Sequence, residues 1–307
     1  MKKKIIITPI GPKLVKKKLI KYFNNDYQYN FVGGITNDQN KIYKFLKNSN
    51  IAIIGSEVIK NDTLNKLSSL NAVIRFGGGL PNLDINLAKQ LGIKLYQIKT
   101  NRVSEDVSLL LLTKILSFIF NIHIHNDNSK KGNWQRIPSY NIENFPVGLI
   151  GAGKIAHSIV PKLKFLGFKI GYWSRSKKNS LEKLGAKRTL QIEELIKKYK
   201  IICLVISNND QTRHLINKKI LSKMKESILI NVSRGEIVNE KEIMLALKSG
   251  KLKKYITDVT EYEPPIKNSF NLLKLRDVVS TPHIGGYSES NLIETSKIAL
   301  KLAHQNI

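Results

Sequence analysis

Apolar and polar positions along this 307-residue chain fall into two successive series of short apolar runs separated by amphipathic stretches. In the first series, residues 4–7, 51–55, 72–76 and 94–97 are apolar runs bounded by turn residues, which predicts strands. Between them, residues 12–23, 38–47 and 83–91 carry the 3.6-residue spacing of helices. Strands alternating with helices predict a parallel sheet with crossover connections. A longer amphipathic helix is predicted from residue 103 to about 123, followed by a polar, irregular stretch at 126–140 with Trp134 as its large apolar anchor. That stretch reads as a surface excursion or an oligomer contact. From Val147 the alternation restarts, with strands predicted at 147–150, 168–173, 201–206, 228–231, 255–258 and 278–280. A last helix, 288–304, is expected to return to the first domain.

The second series opens on Val-Gly-Leu-Ile-Gly-Ala-Gly-Lys-Ile-Ala, residues 147–156. A strand here turns sharply into a helix whose Ile155, Ile159, Leu163 and Leu166 share one face. Such a junction directs free backbone N–H groups and the positive end of the helix dipole at an anion, usually phosphate. Gly151 permits the turn, Gly153 lets a pyrophosphate approach the backbone, and Ala156 keeps helix and strand close. Lys154 and Ile155 join Gly151 and Gly153 as expected cofactor-binding residues. The expected fold class is therefore α/β with two doubly wound parallel-sheet domains. One is a flavodoxin-like substrate domain of residues 1–98 plus 287–307, and the other a Rossmann cofactor domain of residues 99–286 with six strands.

An acidic residue roughly 20 positions after the glycines normally binds the ribose 2′-hydroxyl. No Asp or Glu occurs between Gly151 and Leu181, and the second strand ends on Ser174, Arg175 and Ser176 followed by two lysines. Hydroxyls and cations suit a 2′-phosphate, so NADP(H) is the expected cofactor and NAD(H) the alternative.

The formal charge of +28 raises a nucleic-acid or membrane-surface role. Lysine supplies 43 of the 51 basic residues, the eight arginines are scattered, and asparagine and isoleucine are abundant, as an AT-rich coding bias would produce. There is no basic tail, zinc-ligand spacing or aromatic RNA-binding motif. No metal and no specific nucleic-acid partner is expected, only weak, salt-sensitive binding to polyanions. No apolar run reaches the ~18 residues of a membrane span. The longest, 107–124, is interrupted by Ser108, Thr113, Lys114, Ser117, Asn121 and His123. The basic and apolar N-terminus lacks the length and cleavage site of a signal peptide and reads as the first strand. A single cysteine, Cys203, sits inside an apolar run, which predicts a buried strand residue and fits a reducing cytoplasm.

Three residues stand just past predicted strands in the last third, where this architecture places chemistry. Arg234 lies in Leu-Ile-Asn-Val-Ser-Arg-Gly-Glu (229–236), Glu263 in Thr-Asp-Val-Thr-Glu-Tyr-Glu-Pro-Pro (257–265), and His283 in Ser-Thr-Pro-His-Ile-Gly-Gly (280–286). Reduction of a 2-keto acid needs a cation to hold the carboxylate and polarise the ketone, for which arginine's planar fork is suited. It also needs a proton donor near neutral pH, the role of histidine, with a carboxylate beside it favouring the imidazolium. These segments, in this order and spacing, resemble the D-isomer-specific 2-hydroxyacid dehydrogenase family, which includes glyoxylate/hydroxypyruvate reductases and phosphoglycerate dehydrogenases.

The resemblance implies that Arg234 binds and polarises the substrate, that His283 is the acid/base and that Glu263 pairs with it. It implies that Asp258 holds the nicotinamide carboxamide, with Val232 and Gly285 among the cofactor contacts. Residues 75–84 are similar to the family's substrate loop, in which the backbone around Gly78, Gly79 and Leu80 grips the carboxylate. Val103-Ser104-Glu105 resembles the start of its interdomain helix. Two departures stand out: residues 207–213 replace a His-x-Pro-x-Thr loop near the cofactor, and Pro81 stands where aspartate is common. The implied activity is NAD(P)-dependent hydride transfer to and from a small 2-keto or D-2-hydroxy acid, of glyoxylate/hydroxypyruvate reductase type, in a homodimer. The rival is a dinucleotide-sensing, corepressor-like module with little turnover, which the joint presence of Arg234, Glu263 and His283 disfavours. With three residues after His304, an appended regulatory domain is not expected.

Overall fold

The computed structural model describes residues 2–34, 37–77, 80–98, 100 and 102–305; the side chains of Lys267 and Asn268 are outside that description. The chain divides into two compact units, Met1–Arg102 with Tyr287–Ile307, and Val103–Gly286.

The first unit is built on five parallel strands, β1 (Lys3–Ile7), β2 (Tyr27–Phe31), β3 (Ile51–Ile54), β4 (Ala72–Arg75) and β5 (Lys94–Gln97), in the order β2-β1-β3-β4-β5. That is the flavodoxin-type order. Side chains alternate between the two faces of the sheet. Ile5, Ile7, Ile51, Ile53 and Ile74 pack with Leu292, Ala299 and Leu300 of the helix Glu289–His304, while Ile6, Ile54 and Val73 pack with Ile42, Leu46 and Leu64 on the other face. Burial on both faces is why these strands read as continuous apolar runs. Strand β2 was not predicted. It is an edge strand whose Tyr27, Tyr29 and Phe31 alternate with exposed Gln28 and Asn30. The helix expected at 12–23 is broken into Ile10–Leu14, Lys16–Leu19 and a 3-10 turn, Ile20–Tyr22.

The second unit carries seven parallel strands rather than six: β6 (Val147–Ile150), β7 (Ile170–Trp173), β8 (Lys187–Thr189), β9 (Ile201–Leu204), β10 (Ser227–Asn231), β11 (Leu252–Thr257) and β12 (Val278–Ser280). Their order is β12-β11-β10-β9-β6-β7-β8. The strand missed from the sequence, β8, is a three-residue edge strand of Lys, Arg and Thr that carries no apolar pattern. One face packs on the helices Arg102–Ile119 and Lys154–Phe165 through Leu111, Ile115, Phe118, Ile159 and Leu163; the other packs on Leu195, Ile220, Ile243 and Leu272. Cys203 lies in the first of these cores, fully buried, and burial pushes its thiol pKa up.

The long helix expected to reach residue 123 ends at Ile119, and a second helix, Ile122–Lys130, leaves it at 62°. Asn121, with φ of +52°, is the hinge residue. No single helix among the described residues is long and apolar enough to cross a membrane. Trp134 is 82 % exposed and lies outside the core; Tyr140 packs there instead, stacked on Phe118 at 5.2 Å and tilted against Phe145 at 4.8 Å.

Candidate active site

The strand order of the second unit reverses at β6, with β7 leaving on one side and β9 on the other. Open α/β sheets bind ligands at such a switch point, beyond the carboxyl ends of the strands. Gly151 follows β6 there with φ of +116°, and a side chain at this position would run into the Val205 carbonyl. Its N–H donates to the Trp173 carbonyl at 2.9 Å, tying the turn to the end of β7. Gly153 is the N-cap of the helix Lys154–Phe165 and places no side chain on the first-turn amides. A Cβ added to Gly153 would meet nothing within 4 Å, so the protein's own packing does not demand glycine at this position. Open space above uncapped helix amides fits the pyrophosphate of a dinucleotide. Ala156 is fully buried, as close packing of helix and strand requires. Ile155 turns its side chain toward the core, and Lys154 is exposed.

Ser174, Arg175 and Ser176 follow β7 beside this turn. The Ser174 hydroxyl donates to the Ser176 carbonyl at 2.7 Å, and Arg175 Nη1 donates to Gln211 Oε1 at 2.9 Å. Gln211 belongs to the 207–213 segment, so that departure from the family loop fixes the Arg175 guanidinium beside the end of β7. Arg188 on β8 reaches the same place, its Nη2 donating to the carbonyls of Ser174 and Arg175 at 3.4 Å each. Sequence reasoning missed both Gln211 and Arg188: they converge on the β7 end only through tertiary approach.

Strands β10, β11 and β12 are neighbours, and Arg234, Glu263 and His283 each lie just past the carboxyl end of one of them. The Arg234 loop is knotted to the sheet. Asn231 Nδ2 donates to the Arg234 carbonyl at 3.0 Å, and the Ser233 hydroxyl donates to the Leu204 carbonyl at 2.8 Å. Gly235 is obligatory because a side chain there would overlap the Thr260 backbone. Arg234 is exposed, with Nη1 donating to the Ser233 carbonyl at 2.7 Å. Val232, another expected cofactor contact, is nearly buried in the core.

Glu263 and His283 meet directly, with 2.6 Å between Oε2 and Nδ1. The carboxylate's second oxygen accepts from the Thr260 N–H at 3.3 Å. Among the described residues, no hydrogen bond occupies His283 Nε2, and the side chain is 44 % exposed. The nearby carboxylate of Glu261 is directed elsewhere, to His214 at 3.1 Å and Arg213 at 3.8 Å. Asp258 is buried, and its Oδ2 accepts from the Gly285 N–H at 2.8 Å.

Of the expected substrate loop, Gly78 and Gly79 lie outside the described residues, and Leu80 is 47 % exposed. Asp84 caps the helix Ile85–Gln90, accepting from the amides of Asn86 and Leu87. The Leu87 N–H and the Asn61 side chain lower its pKa.

A glycine turn at the switch point and a His–Glu pair past β11 and β12 define a dinucleotide-dependent oxidoreductase architecture. The chain belongs to the D-isomer-specific 2-hydroxyacid dehydrogenase family: residues 6–109 match the family's catalytic domain and residues 112–285 its NAD-binding domain. The family's activity is NAD(P)-dependent interconversion of 2-hydroxy and 2-keto acids. The chain is 31% identical over 261 residues to the D-3-phosphoglycerate dehydrogenase of Methanocaldococcus jannaschii, covering 83% of this chain and about half (49%) of that protein. It is 32% identical over 250 residues to glyoxylate reductase 1 of Saccharomyces cerevisiae, covering 78% of this chain and 69% of the relative. Its fold matches the crystal structure of a phosphoglycerate oxidoreductase from Vibrio cholerae with a TM-score of 0.88 at 22% identity, over 99% of this chain and 100% of the other.

Proposed function

We propose that this chain reduces a small 2-keto acid, of the glyoxylate or hydroxypyruvate type, with NADPH preferred over NADH, and oxidises the D-2-hydroxy acid in reverse. The observation that carries this reading is the 2.6 Å pairing of His283 Nδ1 with Glu263 while Nε2 stays open, in the unit that also bears the glycine turn. A carboxylate only accepts hydrogen bonds, so Nδ1 carries a proton and Nε2 is the nitrogen that exchanges one with substrate. His283 Nε2 gives a proton to the keto oxygen during reduction and takes it back during oxidation. Arg234 holds the substrate carboxylate and polarises the ketone. A nicotinamide cofactor, when bound, would supply or accept the hydride. Asp258 would orient its carboxamide, the amides after Gly151 would hold the pyrophosphate, and Ser174, Arg175 and Ser176, with Arg188 behind them, would hold a 2′-phosphate. The assignment of Gly78, Gly79 and Leu80 to the carboxylate grip rests on sequence alone.

The same reading makes the chain a cytoplasmic homodimer. The lone buried Cys203 suits a reducing compartment, and exposed Phe120, Ile122 and Trp134 supply an apolar contact surface. The test is a screen of NADPH and NADH oxidation against glyoxylate, hydroxypyruvate, pyruvate and phosphohydroxypyruvate. Turnover of glyoxylate or hydroxypyruvate with NADPH is expected. A clear preference for NADH removes the cofactor assignment, and best turnover of phosphohydroxypyruvate or pyruvate removes the substrate assignment.

A further inference from the structure

The helix Arg102–Ile119 buries Leu111, Ile115 and Phe118 in the core of the second unit, and Lys114 lies between them with only 5 % of its surface exposed. A buried ammonium is costly unless it is paired and hydrogen-bonded. Its Nζ donates to the Thr257 carbonyl at 3.0 Å and to the Thr281 hydroxyl at 2.7 Å. Thr257 closes β11 and Thr281 follows β12. Lys114 therefore joins the ends of two neighbouring strands, the ends from which Asp258 and His283 emerge.

A hydroxyl has one proton to give. Because an ammonium only donates, Thr281 accepts from Lys114 and its own proton goes to Asp258 Oδ1. Asp258, 2 % exposed, directs its acceptor sites at the turn carrying His283. Its Oδ1 accepts from the Ile284 N–H at 2.9 Å, its Oδ2 from the Gly285 N–H at 2.8 Å, and its carbonyl from the His283 N–H at 2.8 Å. His283 holds φ at +53°, in the left-handed region that side chains other than glycine's rarely adopt. One buried carboxylate thus clamps a backbone conformation that would otherwise relax, and its charge is answered through Thr281 by Lys114.

We propose that Lys114 is a positioning residue for the proton-transfer step: through Thr281 it keeps Asp258 as the charged clamp that holds the His283 turn, and so Nε2, in place. The inference rests on His283 being the proton donor. Burial lowers the Lys114 pKa to about 8, with the Asp258 charge opposing that shift, so the ammonium is still mainly charged at neutral pH.

Lys114→Met preserves the length and apolar bulk of the side chain and removes the charge. Its kcat for NADPH-dependent keto-acid reduction is expected to fall about tenfold or more, with NADPH affinity within about threefold of the parent. Lys114→Arg, which keeps the cation, is expected to recover part of that loss. In a His283→Gln background, Lys114→Met is expected to cause a much smaller fall than in the parent, because the larger part of its effect runs through the imidazole. Should Lys114→Met not fold, Thr281→Val cuts the same relay with Lys114 in place and is read against the same background. Wild-type turnover of the relay variant, or a loss that multiplies with that of His283→Gln, would overturn the proposal. Wild-type turnover of His283→Gln itself would instead sink the functional reading on which it rests, so the two failures are distinct.

Discussion

Glu263 Oε2 lies 2.6 Å from His283 Nδ1, and this contact occupies one imidazole nitrogen while Nε2 stays open. A charge-assisted hydrogen bond of this length fixes both tautomer and ring orientation. Glu263→Gln keeps the shape and removes the charge. It is expected to lower kcat by about 10²-fold or more while the KM for NADPH changes little, as steady-state kinetics would show. An unchanged kcat would leave the pair without a role in turnover.

Arg234 stands at a loop end fastened by Asn231 and Ser233, so its substitution removes a guanidinium without unpicking the sheet. Two charge-assisted hydrogen bonds to a carboxylate are worth about 3–6 kcal/mol together. Arg234→Gln should therefore reduce kcat/KM for the keto acid by about 10²–10⁴-fold. NADPH binding, followed by its fluorescence, should be retained. Loss of cofactor binding in parallel would move Arg234 from the substrate to the dinucleotide.

Arg175 is held by Gln211 beside the glycine turn, and no carboxylate precedes it after β7. Ser174→Asp with Arg175→Ala should reverse the cofactor preference, lowering kcat/KM for NADPH by about 10-fold or more and raising it for NADH. Gln211→Ala should weaken NADPH alone, through a less ordered guanidinium. Equal effects on both cofactors would place the 2′-phosphate elsewhere.

His123 carries a pH dependence of stability. It is partly buried, and its Nε2 accepts from Lys254 Nζ at 2.9 Å, a bond that protonation abolishes. Burial first, and the Lys254 charge second, lower its pKa below the ordinary histidine value. The unfolded chain therefore binds a proton at higher pH than the folded one does. Stability is full above an unfolded pKa of about 6.5 and is lost as pH falls from there through the folded value. Thermal unfolding between pH 7.5 and 5 should show a decline that His123→Phe flattens. An identical decline in the variant would assign it to other groups.

The parts of this fold legible in the sequence are those whose signal is local. Strands β6, β9 and β10 are buried on both faces and so read as unbroken apolar runs, and Gly151 and Gly153 mark the turn by their spacing. Strands β2 and β8 escaped because edge strands are specified by pairing with a neighbour, not by apolar content. The same division holds in the site. Arg234, Glu263 and His283 sit in short recognisable segments, whereas Lys114 reaches Thr281 across 167 residues and Arg188 reaches Ser174 from another strand.

The most direct test is turnover by His283→Gln beside the parent chain, with NADPH binding measured in both. The parent should oxidise NADPH in the presence of glyoxylate or hydroxypyruvate. The variant should bind NADPH equally and turn over about 10²–10⁴-fold more slowly. A parent that binds NADPH but reduces no 2-keto acid, or a variant that matches the parent's rate, would contradict the account.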